Sequence, residues 1–150
     1  MNPRSLISLA YIALLALVPL SASAATLVQS RTLVVSEAAS ENLYLAGSDV
    51  TIAAPLGADV VGVGGTFSIQ APVAGDALLA GGTVTVKKPV TGDVRATAGE
   101  FYLDAPVGGD LMVIAGTITA SSSAKDTHVA GGVVRLSGSG GDVMIYGADV

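Results

Sequence analysis

The amino-acid sequence predicts an all-β protein, a single-stranded parallel β-solenoid with three sides and about 17 residues per coil. Three observations lead to this class. A short phrase returns at a fixed interval, its extended pieces alternate apolar and polar residues, and glycine and proline recur at fixed places in each copy. Helical repeats are excluded, because seventeen residues with this much glycine and proline cannot hold a helical hairpin.

The interval is clearest at the corners of the repeat. Aspartate, proline and glycine each return every seventeen residues, and Asn42 takes the place of the aspartate one copy earlier. The interval falls to sixteen at Asp126 and Asp142, where the Ala-Pro corner is replaced by SSSAK and SGSGG. The predicted repeat corners are Asp59, Asp76, Asp93, Asp110, Pro55, Pro72, Pro89, Pro106, Gly65, Gly82, Gly99 and Gly116.

Each copy is predicted to contain three short extended pieces separated by three corners. The first piece (VVGV, ALLA) ends at a glycine pair, where we expect the positive φ that glycine tolerates. The second (TFSI, TVTV, EFYL) alternates strictly and ends at proline, and the third is one apolar residue. Stacked coils would pile equivalent side chains about 4.8 Å apart. The predicted core column is Val50, Phe67, Val84, Phe101, Ile118 and Val134.

The N-terminus has the pattern of a secretory signal peptide over residues 1–24. Arg4 precedes the apolar run LISLAYIALLALVPL, and Ala22 and Ala24 form an A-x-A cleavage site. The run is shorter than the ~20 residues that span a bilayer, so we expect cleavage and export to the periplasm, cell surface or medium. Residues 25–41 are predicted to be an N-terminal capping segment and 42–150 the solenoid. YGADV stops partway through a coil, so either the natural chain is longer or this edge is meant to pair with another chain. We expect the longer chain, whose missing C-terminal region could hold a membrane anchor.

The composition offers little for catalysis. The formal net charge of −5 disfavours a nucleic-acid surface, and the absence of cysteine excludes disulfides and thiolate metal sites. His128 is the only histidine and has no nucleophile beside it, so we expect an outward side chain without a catalytic role. The aspartate column is expected to accept hydrogen bonds from nearby backbone N–H groups rather than to bind calcium. We therefore expect no catalytic residue, no metal and no cofactor.

The first extended piece is apolar on both of its alternating sets, which leaves open the set that faces inward. Whichever set faces outward leaves an apolar stripe along one side of the solenoid. Exposed apolar surface of this kind usually marks a partner, and the alternative is that residues 25–41 cover it. The stripe, broken by Arg95 and His128, consists of Tyr44, Val61, Leu78, Met112 and Met144.

The repeated columns A-P-V-x-G-D-φ-x-φ-x-G-G-T-φ-x-φ, where φ is an apolar residue, resemble the bactofilin family of polymer-forming cytoskeletal proteins. The likeness covers residues 42–150 and is clearest over 56–119. It implies a right-handed β-helix that polymerises end to end without nucleotide and serves as a scaffold at the cell envelope. Bactofilins generally work in the cytoplasm, so the export signal makes this chain similar to their exported relatives.

These observations predict a non-enzymatic structural protein that self-assembles through the ends of its solenoid. The expected partners are other copies of the chain and envelope or membrane components, without nucleic acid or nucleotide. The alternative is a surface-displayed carbohydrate-binding or adhesive β-helix module.

Overall fold

The computed structural model describes residues 26–138 and 140–150 and shows a parallel β-solenoid of about seven turns. The predicted signal peptide lies outside these residues. Eight parallel strands form one sheet in chain order, and each strand βk belongs to coil k. The strands are β1 (Thr26–Val35), β2 (Leu43–Ile52), β3 (Val60–Ile69), β4 (Ala77–Val86), β5 (Val94–Leu103), β6 (Leu111–Ala120), β7 (Thr127–Leu136) and β8 (Val143–Asp149). The predicted all-β solenoid of about 17 residues per coil is confirmed.

The register between neighbouring strands follows the sequence interval without a slip. Val60 pairs with Ala77, seventeen residues on, and Thr127 pairs with Val143, sixteen residues on. A further bridge joins the single apolar residue of each Ala-Pro corner to the next, from Ala39 as far as Val107. The coil that contains the SSSAK corner is one residue shorter than the coils before it. The shortening lies in the corner, because the strands on either side stay in register.

The core is a set of columns that run through the coils. The column Val50, Phe67, Val84, Phe101, Ile118 and Val134 lies in register and is at most 1% exposed. Side-chain volume is balanced within each coil. A Cβ on Gly62 would collide with the ring of Phe67. Another small residue, Ala96, stands at the same place beside Phe101. Close packing explains this pairing, because a core has no room for two large residues at facing positions.

The first two extended pieces of each coil form one strand rather than two. Each of β2 to β7 spans ten residues and continues through the glycine pair, and the third piece is reduced to a single bridge. The predicted glycine corner therefore lies within one continuous strand, and the third piece is the single residue that the sequence predicts. The chain bends at the second glycine, the one position in each strand without a register partner, and hydrogen bonding resumes at once.

Glycine occupies the paired positions for a different reason from the one that the sequence predicts. Among residues 26–138 and 140–150, no glycine has a positive φ. Instead, a Cβ on Gly82 would lie 2.8 Å from the carbonyl oxygen of Gly65 in the preceding coil, and Gly99 meets Gly82 at the same distance. Real Cβ atoms do not approach carbonyl oxygens so closely. Glycine is required here because the bent backbones of successive coils come together.

The predicted capping segment is part of the solenoid. Strand β1 pairs with β2 in the same register as every later coil, with Thr26 opposite Leu43 and Leu33 opposite Val50. Leu33 points into the core and is 9% exposed. The described residues of the segment 25–41 therefore extend the column by one coil and do not lie across its side.

The core column predicts a contrast between two neighbouring aromatic residues of β5. Phe101 is fully buried, whereas Tyr102 is only half-buried and points outward. We expect Phe101→Ala to lower the free energy of unfolding by about 3–5 kcal/mol, because it leaves a cavity in a close-packed coil. Tyr102→Ala is the matched control and should cost much less. Chemical denaturation followed by circular dichroism measures both, and equal losses would contradict the column.

Candidate functional site

One side of the solenoid is apolar and faces outward, and we call it the apolar face. It is formed by the first half of each strand, where Val60 and Gly62 point inward and Val61 and Val63 point outward. This orientation decides the alternative that the sequence left open. The first column of the apolar face is Leu27, Tyr44, Val61, Leu78, Arg95, Met112, His128 and Met144. The second column is Gln29, Ala46, Val63, Ala80, Thr97, Ile114, Ala130 and Tyr146.

The large apolar side chains of this face are about half exposed. Leu78 is 52% exposed, Val63 54% and Ile114 60%. The structure places every residue of the predicted stripe here, in the first column. The second column was not included in the predicted stripe, although Val63 and Ile114 follow Val61 and Met112 by two positions and must face the same way. An exposed apolar surface that is two columns of side chains wide is typical of a contact site.

Arg95 divides the apolar face into two shallow depressions. The larger, ≈ 450 Å³, is lined by side chains of coils 1 to 5, among them Tyr44, Val61 and Leu78. The smaller, ≈ 220 Å³, lies over coils 6 to 8 and includes His128. Arg95 does not reach across either depression, because its guanidinium donates to Asp93 Oδ2 at 2.7 Å.

The aspartates at the corners form a hydrogen-bonded ladder. The backbone N–H of Asp76 donates to Asp59 Oδ1 at 2.9 Å, and the same bond joins Asp93 to Asp76 at 2.8 Å and Asp110 to Asp93 at 2.9 Å. Asn42 begins the ladder by accepting from the N–H of Asp59 at 3.1 Å. The carboxylates of Asp59, Asp76 and Asp93 thus each accept from a backbone donor of the next coil, as the sequence predicts. The column has a structural role, because these bonds tie coil to coil at a corner.

The residue before the aspartate is glycine at three places in the ladder, whereas Ala58 precedes Asp59, whose N–H still donates to Asn42 Oδ1. A Cβ on Gly75, Gly92 or Gly109 would collide with the carboxylate oxygen of the preceding coil. Lys125 stands at the equivalent place before Asp126 and carries such a Cβ. The ladder is interrupted there, and Asp110 Oδ1 is buried without a hydrogen-bond partner. It resumes with a bond of 3.0 Å from the N–H of Asp142 to Asp126 Oδ1.

The ladder lowers the pKa of one of its members. The N–H of Asp110, by donating to Asp93, holds the pKa of Asp93 below its ordinary value of 3.8. Burial acts in the opposite direction, and Arg95 adds to the lowering. A carboxylate that accepts hydrogen bonds is stabilised in its charged form. Asp93 therefore contributes more to folding when it is ionised.

The outer edges of β1 and β8 are the second candidate contact surface. In the described structure each of these strands pairs with one neighbour, β2 or β7. Their inward side chains are less covered than in the middle of the column: Ile145 is half-buried, whereas Val129 one coil earlier is 2% exposed. A strand with one free side presents unpaired N–H and C=O groups, which can pair with another chain.

Groups with catalytic potential do not converge in the described part of the chain. No three histidine, cysteine, aspartate or glutamate side chains of residues 26–138 and 140–150 are grouped as for a metal ion. Within the same residues, no helix has the length and hydropathy needed to cross a bilayer. His128 points outward on the apolar face, half-buried between Met112 and Met144. The site is defined by surfaces and edges rather than by a reactive cluster.

Comparison of this chain with protein-family models, curated proteins and solved structures finds no significant match. The candidate site therefore rests on three features of the geometry. They are the apolar face, the free edges of β1 and β8, and the aspartate ladder that holds the coils in place between them.

The ladder predicts that aspartate can be replaced by asparagine but not by alanine. Asp76→Ala removes the acceptor for the N–H of Asp93 and should lower the free energy of unfolding by about 1 kcal/mol. Asp76→Asn keeps an oxygen at the same place, as Asn42 already does, and should cost less. Denaturant titration of both variants tests this. Equal destabilisation would show that the charge, and not the bond to the next coil, is what matters.

The lowered pKa of Asp93 predicts a dependence of stability on acid. A group whose pKa is lower in the folded state contributes stability above its unfolded pKa and loses it as the pH falls through the folded pKa. The contribution of Asp93 is thus complete above about pH 4 and is lost at lower pH. In Asp93→Asn this part of the acid dependence should be absent. Thermal unfolding between pH 6 and pH 2 measures the difference, and parallel curves for the two proteins would contradict it.

Proposed function

We propose that this protein is a non-enzymatic, exported scaffold of the cell envelope, which self-assembles by stacking the ends of its solenoid. The parallel pairing of eight strands in one continuous sheet, which leaves one side of β1 and one side of β8 unpaired among the described residues, is the observation that carries the proposal. The predicted signal peptide supports export, and the resemblance to bactofilins supports polymerisation without nucleotide.

The two edges have matching side chains. If β8 of one copy continues the column into β1 of the next, Val143 lies over Thr26 and Ile145 lies over Val28, as internal coils align. Ile145 and Val28 both point inward and are both half-buried in the single chain. Stacking would therefore cover apolar surface that internal coils already cover. The free energy gained on stacking would come from the burial of apolar surface, as it does in the core.

The backbone favours an open assembly over a closed one. Parallel strands of one copy can pair with parallel strands of the next by the ladder geometry that joins coil to coil within a chain. A contact between two different surfaces of identical chains forms a filament when its rotation does not close a ring. A solenoid axis that continues through the contact gives such a filament.

The apolar face would remain on the side of the filament. Stacking pairs the ends of each solenoid and leaves Leu78, Val63 and Ile114 exposed along its length. The face then repeats in every subunit and suits contact with envelope or membrane components. In this assignment the edges join copies, and the face attaches the assembly to its surroundings.

A second candidate function is that of a surface-displayed carbohydrate-binding or adhesive module. The observation in its favour is a pair of exposed aromatic side chains on the apolar face, Tyr44 and Tyr146, which are 39% and 67% exposed. Aromatic rings of this kind can pack on the apolar faces of sugars. A glycan array separates the two functions, because saturable sugar binding favours the module and its absence favours the scaffold.

The scaffold predicts filaments with a defined repeat. Purified residues 25–150 should form filaments or large oligomers without nucleotide, with one subunit every ~38 Å along the axis, from eight strands stacked about 4.8 Å apart. Electron microscopy measures the repeat and analytical ultracentrifugation the size. A single monomeric species at high concentration would contradict the proposal.

Val143→Pro tests whether the edge of β8 makes the contact. The N–H of Thr127 donates to the carbonyl of Asp142 in the next coil, so by register the N–H of Val143 points away from coil 7. Proline at this position removes an edge donor and obstructs a further strand, while the bonds within the chain remain. We expect the variant to fold and to assemble less. Val143→Thr is the matched control and should assemble as the unchanged protein does.

A further inference from the structure

The solenoid brings together three side chains that the sequence keeps sixteen residues apart. Met112 pairs with His128, and His128 pairs with Met144, in the first column of the apolar face. His128 is the only histidine of the chain, and the only other methionine is the initiating Met1. The described structure thus places the two methionines in the coils on either side of the single histidine.

The spacing of the three side chains suits one shared ligand. Neighbouring coils lie about 4.8 Å apart, so the two methionines are about 10 Å apart at the backbone with the histidine midway. All three side chains leave the same face of the sheet. Met112 and Met144 are 49% and 48% exposed, and His128 is half-buried between them. Methionine has three rotatable side-chain bonds, so each thioether can swing towards the ring from its own side.

The surroundings select the kind of ion. The depression over these coils, ≈ 220 Å³, is lined otherwise by the apolar residues Val113, Ile114, Val129 and Ala130 and by Tyr146. No carboxylate lines it. Magnesium, calcium and manganese prefer oxygen ligands, whereas thioether sulfur selects soft ions such as Cu(I). A neutral donor set in an apolar setting also favours a single positive charge over a double one, because the cost of desolvating an ion rises with its charge.

The nearest fixed charge does not oppose such an ion strongly. Arg95 stands next to Met112 in the same column, but its guanidinium is held by the carboxylate of Asp93 at 2.7 Å. The pair turns the positive charge towards the aspartate ladder. Met112 then separates the paired guanidinium from the imidazole.

We propose that Met112, His128 and Met144 form a binding site for a soft monovalent metal ion, Cu(I), with two sulfur ligands and one nitrogen ligand. The neutral imidazole supplies the nitrogen and the two thioethers supply the sulfurs. This site goes beyond the scaffold function and does not depend on it, because all three ligands belong to one chain. The sequence pattern places the three residues in one column, with His128 only as an interruption of the apolar stripe, and predicts no metal ligand there.

A competition experiment tests the site. The purified protein is titrated under anaerobic, reducing conditions against a chromogenic Cu(I) chelator, and X-ray absorption identifies the ligands. We expect one Cu(I) per chain, with two sulfur neighbours and one nitrogen neighbour. Ag(I), which is soft and does not change oxidation state here, should displace the copper, whereas Zn²⁺ should not. Failure to remove copper from the chelator, or displacement by equimolar Zn²⁺, overturns the proposal.

Three variants and one control assign the ligands. Met112→Leu and Met144→Leu preserve side-chain volume, and His128→Gln preserves polarity, so the fold should survive. Each should weaken Cu(I) binding on the order of tenfold or more, since even groups that only orient a metal's ligands cost tenfold to a hundredfold when removed. Val61→Ala alters the same column outside the site and should leave the affinity unchanged. Equal affinity in all four variants overturns the assignment, and circular dichroism verifies that each is folded.

Discussion

Parallel, in-register pairing between successive coils is the constraint on which the rest of the structure depends. Every residue lies beside the residue that holds the same place one coil earlier and one coil later. Side chains of one kind therefore form columns, whether of core residues, of aspartates or of apolar residues on the outer face. Pairing of this type can also be extended, since a strand that is paired on one side still presents N–H and C=O groups on the other.

The sequence predicts the fold well because the interval between its repeated residues equals the number of residues in one coil. Once the interval is known, the register follows, and with it the column that contains Phe67, Val84 and Phe101. The role of the glycine pairs could not be predicted in the same way. A glycine permits both an unusual φ and a close backbone approach, and only the direction of the bend at Gly82 distinguishes them. Gly62 is a third case, set by the ring of Phe67.

The candidate site could be predicted only in part. The stripe residues were recognised, but their orientation could not be decided, because Val60 and Val61 are equally apolar and differ only in their place relative to the core. His128 was placed correctly between Met112 and Met144, because the interval of sixteen is visible at Asp126 and Asp142. It was interpreted only as an interruption of the stripe, since an apolar column is not where metal ligands are expected.

The interruption of the ladder at Asp110 removes only one of the bonds that join coil 6 to coil 7. The carboxylate of Asp110 accepts no bond from Asp126, but β6 and β7 keep nine register pairs and the N–H of Val107 still donates to the carbonyl of Ser123. The pairing between β7 and β8 is shorter, with six register pairs, and the inward Ile145 of β8 is only half-buried. Because cooperativity in stacked repeats passes through contacts between neighbours, coil 8 of the described structure can open and close locally while the coils before it stay intact.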